Sequence, residues 1–170
     1  KLSKVPEVRH VNASPVLNTV KLPKLSKESF ALPAAALLTS DKVRCIKAIH
    51  YQVLTEEIQV TPKLEQGHIV ADTERDLLKL ICVERYGKTS NVGLGLVQGF
   101  ALQAGALAST VGHDHHNLLA VGVNDDDLLL ACQHLETLGG GFVAVKDGTI
   151  LAEVALPIGG LIADESLEDM

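Results

Sequence analysis

Apolar and polar positions alternate in twos through the middle of the chain and recur at helical spacing only toward its C-terminal end. "VRCIKAIH" (43–50) sets Val43, Cys45 and Lys47 against Arg44, Ile46 and Ala48 in β-forming residues, which predicts a strand. "QVLTEEIQVTP" (52–62) predicts a second strand that closes near Pro62, and "EQGHIVAD" (65–72) a turn at Gly67 with a short strand. "DLLKLICVERYG" (76–87) has a continuous apolar centre, which periodicity alone leaves open between a helix and a buried strand; a strand over 79–85 is preferred. "NVGLGLVQGF" (91–100) places Gly93 and Gly95 on one strand face, a pattern that suits close approach of another element or a ligand. "GALASTVG" (105–112) and "LLAVGV" (118–123) read as two more short strands. The period then changes. Asn124 is a good N-cap, Asp125, Asp126 and Asp127 suit the positive end of a helix, and Leu128, Ala131, Cys132, Leu135 and Leu138 follow at helical spacing. "GGG" (139–141) ends that helix, and "FVAVKDGTILAEVALP" (142–157) is a hairpin turning at Asp147-Gly148.

Strands, then a helix, then a hairpin argue for an α+β fold: a mixed, mainly antiparallel sheet, one clear helix over about 124–138 and a C-terminal hairpin. The order is not that of a TIM barrel, which needs about 250 residues and eight strand–helix units. Residues 1–30, punctuated by Pro6, Pro15 and Pro23 and rich in Lys and Ser, lack a sustained period and predict an extended arm or linker. Residues 31–170 form a single domain on this reading, with a solvated acidic tail, "ADESLEDM". The chain opens on Lys1 rather than Met, which leaves room for an upstream region.

Composition narrows the picture. Apolar residues make up 46% of the 170 positions but aromatics only 3%, and Trp is absent, so the core must be aliphatic. With 15 basic against 21 acidic side chains the net charge is −6, which gives no general attraction to nucleic acid or to anionic membrane. Cys45, Cys82 and Cys132 are widely spaced, form no C-x-x-C, and lie in apolar segments, as buried reduced thiols would. No signal-peptide pattern opens the chain and no apolar run approaches a membrane span, so a cytoplasmic location is expected.

The candidate chemistry lies in "VGHDHHN" (111–117), which holds three of the chain's seven histidines. Imidazoles beside a carboxylate suit a divalent metal, and His113 and His115 would share one face of an extended strand. The same groups suit substrate contact or a proton relay, with Asn117 offering both a donor and an acceptor to a heterocycle's edge. A polar turn held by Asp114 and Asn117 is the plain structural alternative. The zinc nucleobase deaminase signature, a G-x-S-x-G elbow and a P-loop are all absent. "VGLGLVQGF" reads G-x-G-x-x-x-G, not the dinucleotide-binding G-x-G-x-x-G.

The run from "ERYGKTSNVGLGLVQGF" through "ASTVGHDHHN", "VGVNDDD", "GGGFVAVKDG" and "LPIGGLIAD" resembles the C-terminal domain of microbial adenine deaminases. "VRCIKAIHYQVLTEE" and "VADTERDLLKL" follow the same family's weaker pattern, so the resemblance covers about 40–165. It implies a domain or fragment of an enzyme that hydrolyses adenine to hypoxanthine and ammonia. The metal-dependent amidohydrolase barrel that carries that reaction is absent from this chain and would be its partner domain. Any divalent metal (Mn, Fe or Zn) then belongs to the barrel, and the chain alone is expected to be inactive. The resemblance implies supporting or substrate-contact roles for His113, Asp114 and His116 and a substrate-binding role for Asn117. The family usually carries Ser where His115 stands, which weakens any H-x-H metal reading. Three functions stay open: shaping or closing the barrel's active site over adenine, a structural or assembly domain in a homo-oligomer, and a self-contained purine- or metal-binding module.

Overall fold

The computed structural model describes residues 16–37 and 41–164. The first half of the expected arm (1–15) and the end of the acidic tail (165–170) lie outside the described residues. A single 3₁₀ turn (Lys27–Phe30) and a one-turn helix α1 (Ala34–Leu37) lead into the strands β1 (Val43–Ala48), β2 (Thr55–Val60), β3 (Lys63–Glu65), β4 (His68–Val70), β5 (Leu78–Val83), β6 (Val92–Gln98), β7 (Ala106–Ser109) and β8 (Leu118–Gly122). Helix α2 (Asp125–Leu138) and the hairpin β9 (Gly141–Lys146) and β10 (Thr149–Ala155) follow.

Eight of these strands form one sheet in the order β10-β9-β7-β8-β5-β6-β1-β2, while β3 and β4 pair separately. β1 and β6 run parallel, and the other pairings in the sheet are antiparallel. The α+β reading with a mixed, mainly antiparallel sheet therefore holds, and the sheet does not close into a barrel.

Local signals placed the elements well. Asn124 caps α2 by accepting the Asp127 N–H on Oδ1 at 2.8 Å, and Gly139 ends the helix in the left-handed conformation at φ +82°. Asp147 and Gly148 both have positive φ, as a two-residue turn between twisted strands requires. The apolar run at 76–87 is the strand β5, and it stops at Val83 rather than at residue 85. Beyond it Glu84 folds its carboxylate back onto the amides of Tyr86, Lys88 and Thr89.

One face of the sheet carries the main core. Ala106, Ala108, Leu118, Ala120, Val143 and Val145 present small and branched side chains to Leu128, Ala131, Cys132 and Leu135 of α2. Leu25 and Phe30 close the same cluster from the N-terminal side. Lys79, nearly buried, donates to Asp125 at 2.7 Å and to the Phe30 carbonyl, which ties the start of α2 to β5. A second cluster, with Val43, Cys45, Ile69, Leu77 and Leu96, lies under β1 and β6. Cys45 and Cys132 are buried and unpaired, and burial pushes the Cys132 thiol up to about 12. Cys82 is only half-buried, which corrects the expectation of three buried thiols; its side chain points away from α2.

Gly93 and Gly95 share one face, as expected, but no close neighbour within the described chain explains them. A Cβ on Gly93 would meet Cys82 at an ordinary 3.6 Å, and one on Gly95 would meet nothing within 4 Å.

Candidate functional site

The histidine run forms the loop between the antiparallel neighbours β7 and β8, so both its ends are fixed by the ladder. Thr110 anchors the entry. Fully buried, it donates through Oγ1 to the Gly160 carbonyl at 2.6 Å and accepts the Gly141 N–H at 2.8 Å. The exit is anchored by Asn117, whose Nδ2 lies 3.9 Å from Cys82 Sγ.

A buried guanidinium holds the middle of the loop. Arg85, 1% exposed, donates from Nε to the His116 carbonyl and from Nη2 to the Gly159 carbonyl at 3.0 Å. No carboxylate pairs with it among the described residues. Burial accordingly pulls its pKa down, against a smaller opposing effect of Tyr86. The Tyr86 ring lies against Arg85, 4.9 Å from the guanidinium carbon, and its hydroxyl donates to the His115 carbonyl at 2.8 Å. Gly160 is required by the same packing: a Cβ there would come within 2.6 Å of Arg85 Nη1, and its φ of +72° already favours glycine. Arg85, Tyr86 and Thr110 were not singled out by the sequence reading. The available signal was an arginine placed directly at the end of an apolar strand run, "ICVER".

On this support the side chains divide. His113 Nδ1 and Asp114 Oδ1 are hydrogen-bonded at 2.8 Å, with 79% and 100% of their side chains exposed. The hydrogen bond from His113, then that ring's charge, holds the Asp114 carboxyl below the usual carboxylate range, with smaller contributions from His116 and His115. The His116 ring packs edge-on to His113 at 5.0 Å between centroids. His116 has φ +51°, and its Nδ1 is buried without a hydrogen-bond partner among the described residues. His115 turns back into the loop, where its Nδ1 accepts the Asn117 N–H at 3.0 Å.

The loop therefore brings His113, Asp114 and His116 together, while Asn117 sits apart at the sheet end and His115 serves the turn itself. No three His, Cys, Asp or Glu side chains among the described residues converge as a metal-ligand set. What the geometry does provide is an imidazole–carboxylate pair facing outward on a braced loop. Such a pair can orient, or exchange a proton with, a group that another body presents to it.

Comparison with known proteins places the chain in a family. A family described as adenine deaminase C-terminal domain matches residues 52–170. The chain is 44% identical over 151 residues to an adenine deaminase of Methanothrix thermoacetophila, covering 89% of this chain and 26% of the relative. It is 39% identical over 155 residues to adenine deaminase 2 of Carboxydothermus hydrogenoformans, at 91% and 26% coverage. It is 45% identical over 141 residues to an adenine deaminase of Moorella thermoacetica, at 83% and 24% coverage. The chain thus spans about a quarter of the length of these curated relatives.

Proposed function

The chain belongs to the adenine deaminase C-terminal domain family, and we propose that it works as that domain of a hydrolase converting adenine and water to hypoxanthine and ammonia. In this reading a metal-dependent amidohydrolase barrel supplied elsewhere performs the reaction, and the domain shapes or closes its active site. The observation that supports it is the exposed His113–Asp114 pair, set on a loop that the buried Arg85 braces from beneath. A group used within this domain would face a pocket of its own; this pair faces out.

His113, Asp114 and His116 act at the rim of the barrel's site, where they orient substrate or a closing segment, and Asn117 offers its amide to the purine edge. A manganese, iron or zinc ion belongs to the barrel, because the donors present in this loop do not form a set for it. The arrangement of an arm over 1–30 and a single domain over 31–170 is part of the same proposal, as is a homo-oligomeric enzyme in the cytoplasm. Three unpaired cysteines suit a reducing compartment, and among the described residues no helix is long and apolar enough to cross a membrane.

The test is adenine deamination by the assembled enzyme, meaning this chain together with its barrel. His113→Ala and Asp114→Ala should each lower kcat/KM at least about tenfold, a loss of ~1.4 kcal/mol in transition-state binding, with the circular dichroism unchanged. Full activity with lost assembly would transfer the loop to a structural role. Deamination by residues 1–170 alone would restore the self-contained module.

A further inference from the structure

Alternation along β5 and β7 to β10 leaves apolar side chains on both faces of the sheet, yet the second face is covered only at one end, where Leu78, Val97 and Val121 pack with Ala71, Leu102 and Val123. Ala106, Ala108, Val143 and Val145 face α2, while their neighbours Leu107 and Phe142 point the other way and stand 39% and 46% exposed. The cross-strand register continues this second face through Val154, which pairs with Phe142, and through Val121, which pairs with Leu107 on one side and Leu80 on the other. An antiparallel sheet that faces water carries polar side chains on that side. The same sheet does so at its far edge, where Arg44 and Glu57 form an ion pair beside Gln59. Across β5 and β7 to β10 the open face carries one charged residue, Lys146 at the turn end of β9; Glu153 lies on the other side and is held by His134 of α2. An apolar face of this extent marks an interaction site.

Two features make the face a built surface. A groove of about 410 Å³ runs across it. Phe100 stands at its edge on a loop pinned by Asp76, whose carboxylate accepts the N–H groups of Gly99 and Ala101 at 2.7 Å each. Two of the chain's three phenylalanines are thus displayed on this face, and preorganised aromatic side chains anchor protein interfaces. Next to Leu80 and Cys82 the face continues over Gly93 and Gly95, where the missing side chains leave room for close approach.

We propose that this face is the docking surface for the catalytic barrel. The inference rests on the functional reading above and adds the surface through which it works. Two observations select the barrel as occupant. About three quarters of each curated relative's length lies outside the region this chain matches, so a large body is there to be seated. The histidine loop also rises from the rim of this face. Ser109 and Leu119, which flank it, belong to the open side, and Asn117 rests on Cys82 of the same side. A body seated on the face therefore reaches the base of the loop that carries His113 and Asp114.

The experiment replaces Phe142 with p-benzoylphenylalanine in the assembled enzyme, irradiates it, and maps the cross-links by mass spectrometry in a mixture of isotopically light and heavy protein. The expected result is cross-links to barrel peptides. Introducing Leu107→Asp should reduce their yield about tenfold or more without changing the circular dichroism, because docking would bury an unpaired charge. Cross-links to a second copy of this domain would overturn the proposal in favour of self-assembly. Cross-links confined to residues 1–15 or 165–170, no cross-link at all, or an unchanged yield with Leu107→Asp would overturn it too. The readout is independent of chemistry. Barrel cross-links without adenine deamination would remove the proposed activity and leave the docking surface, and deamination without cross-links would do the reverse.

Discussion

Asp127 joins three pieces of local structure, and removing its carboxylate should uncouple them. The side chain is 1% exposed. Its Oδ1 accepts the Gly148 N–H at 2.8 Å, and its Oδ2 accepts Asn124 Nδ2 at 2.7 Å and the Asp147 N–H at 3.2 Å. One carboxylate thus fixes the N-terminus of α2, its cap and the turn of the β9–β10 hairpin. Hydrogen bonds to a charged group contribute about 1.5–3 kcal/mol each, but they do not add, and the exposed turn amides regain water when released. We therefore expect Asp127→Ala to cost about 2–3 kcal/mol. Asp126→Ala is the control: it removes an exposed ion pair with Lys27 at 2.9 Å, of a kind worth about 0–1 kcal/mol. Urea unfolding followed by far-UV circular dichroism measures both. Equal losses for the two variants, or less than about 0.5 kcal/mol for Asp127→Ala, would refute the reasoning.

The same carboxylate carries a pH signature. Burial pushes its pKa up, but the Gly148 amide, the Asn124 side chain and the Asp147 amide together outweigh that and hold it below the ordinary value. A folded-state pKa below the unfolded one gives stability that is fully present above the unfolded value of about 3.9 and is lost as pH falls through the folded value. The native chain should therefore lose stability faster than Asp127→Asn as pH drops below about 4. Parallel pH dependences for the two proteins would contradict the assignment.

Asn124→Ala removes the helix cap and its contact to Asp127, and should destabilise by about 1–2 kcal/mol in the same urea assay. Arg85→Lys keeps the charge but not the forked donor, and should cost about 1–3 kcal/mol while raising amide hydrogen exchange across 112–117; unchanged exchange would mean that the loop does not depend on Arg85. His115→Ser should be nearly silent in stability, because a serine hydroxyl can also accept the Asn117 N–H that His115 Nδ1 accepts now; a loss above about 1 kcal/mol would show a packing role for the ring.

What the sequence revealed was local. The cap at Asn124, the aspartates of the first turn, the left-handed Gly139 and the Asp147-Gly148 turn each depend on residues a few positions apart, and all were legible. The strand order was not. That β7 lies between β9 and β8, or that β1 joins β6 in parallel, depends on packing between distant segments, which alternation does not encode. The loop shows the same divide. Its chemistry was visible as residue types, but its brace was not, because Arg85 reaches the His116 carbonyl from 31 positions away.

The least legible property is which side of the sheet is finished. In β1, buried Val43 and Cys45 alternate with exposed Arg44 and Ile46, a pattern that settles with one covered face. In β7 and β9 both sets of positions are mostly apolar, with Ala106, Ala108, Val143 and Val145 turned toward α2 and Leu107, Phe142 and Ala144 turned away beside Ser109 and Lys146 at the strand ends. Period-two alternation of hydrophobicity is nearly lost there, and that loss is what a strand buried on both faces displays. Taken within this chain alone it would predict a second covering layer; among the described residues one reaches Val121 but leaves Leu107 and Phe142 open. The conflict is resolved if the rest of that layer comes from another body, and Gly93 and Gly95 then fit as well, since their missing side chains lie on the same open face. A sheet of this kind is patterned for the assembled protein rather than for the domain by itself.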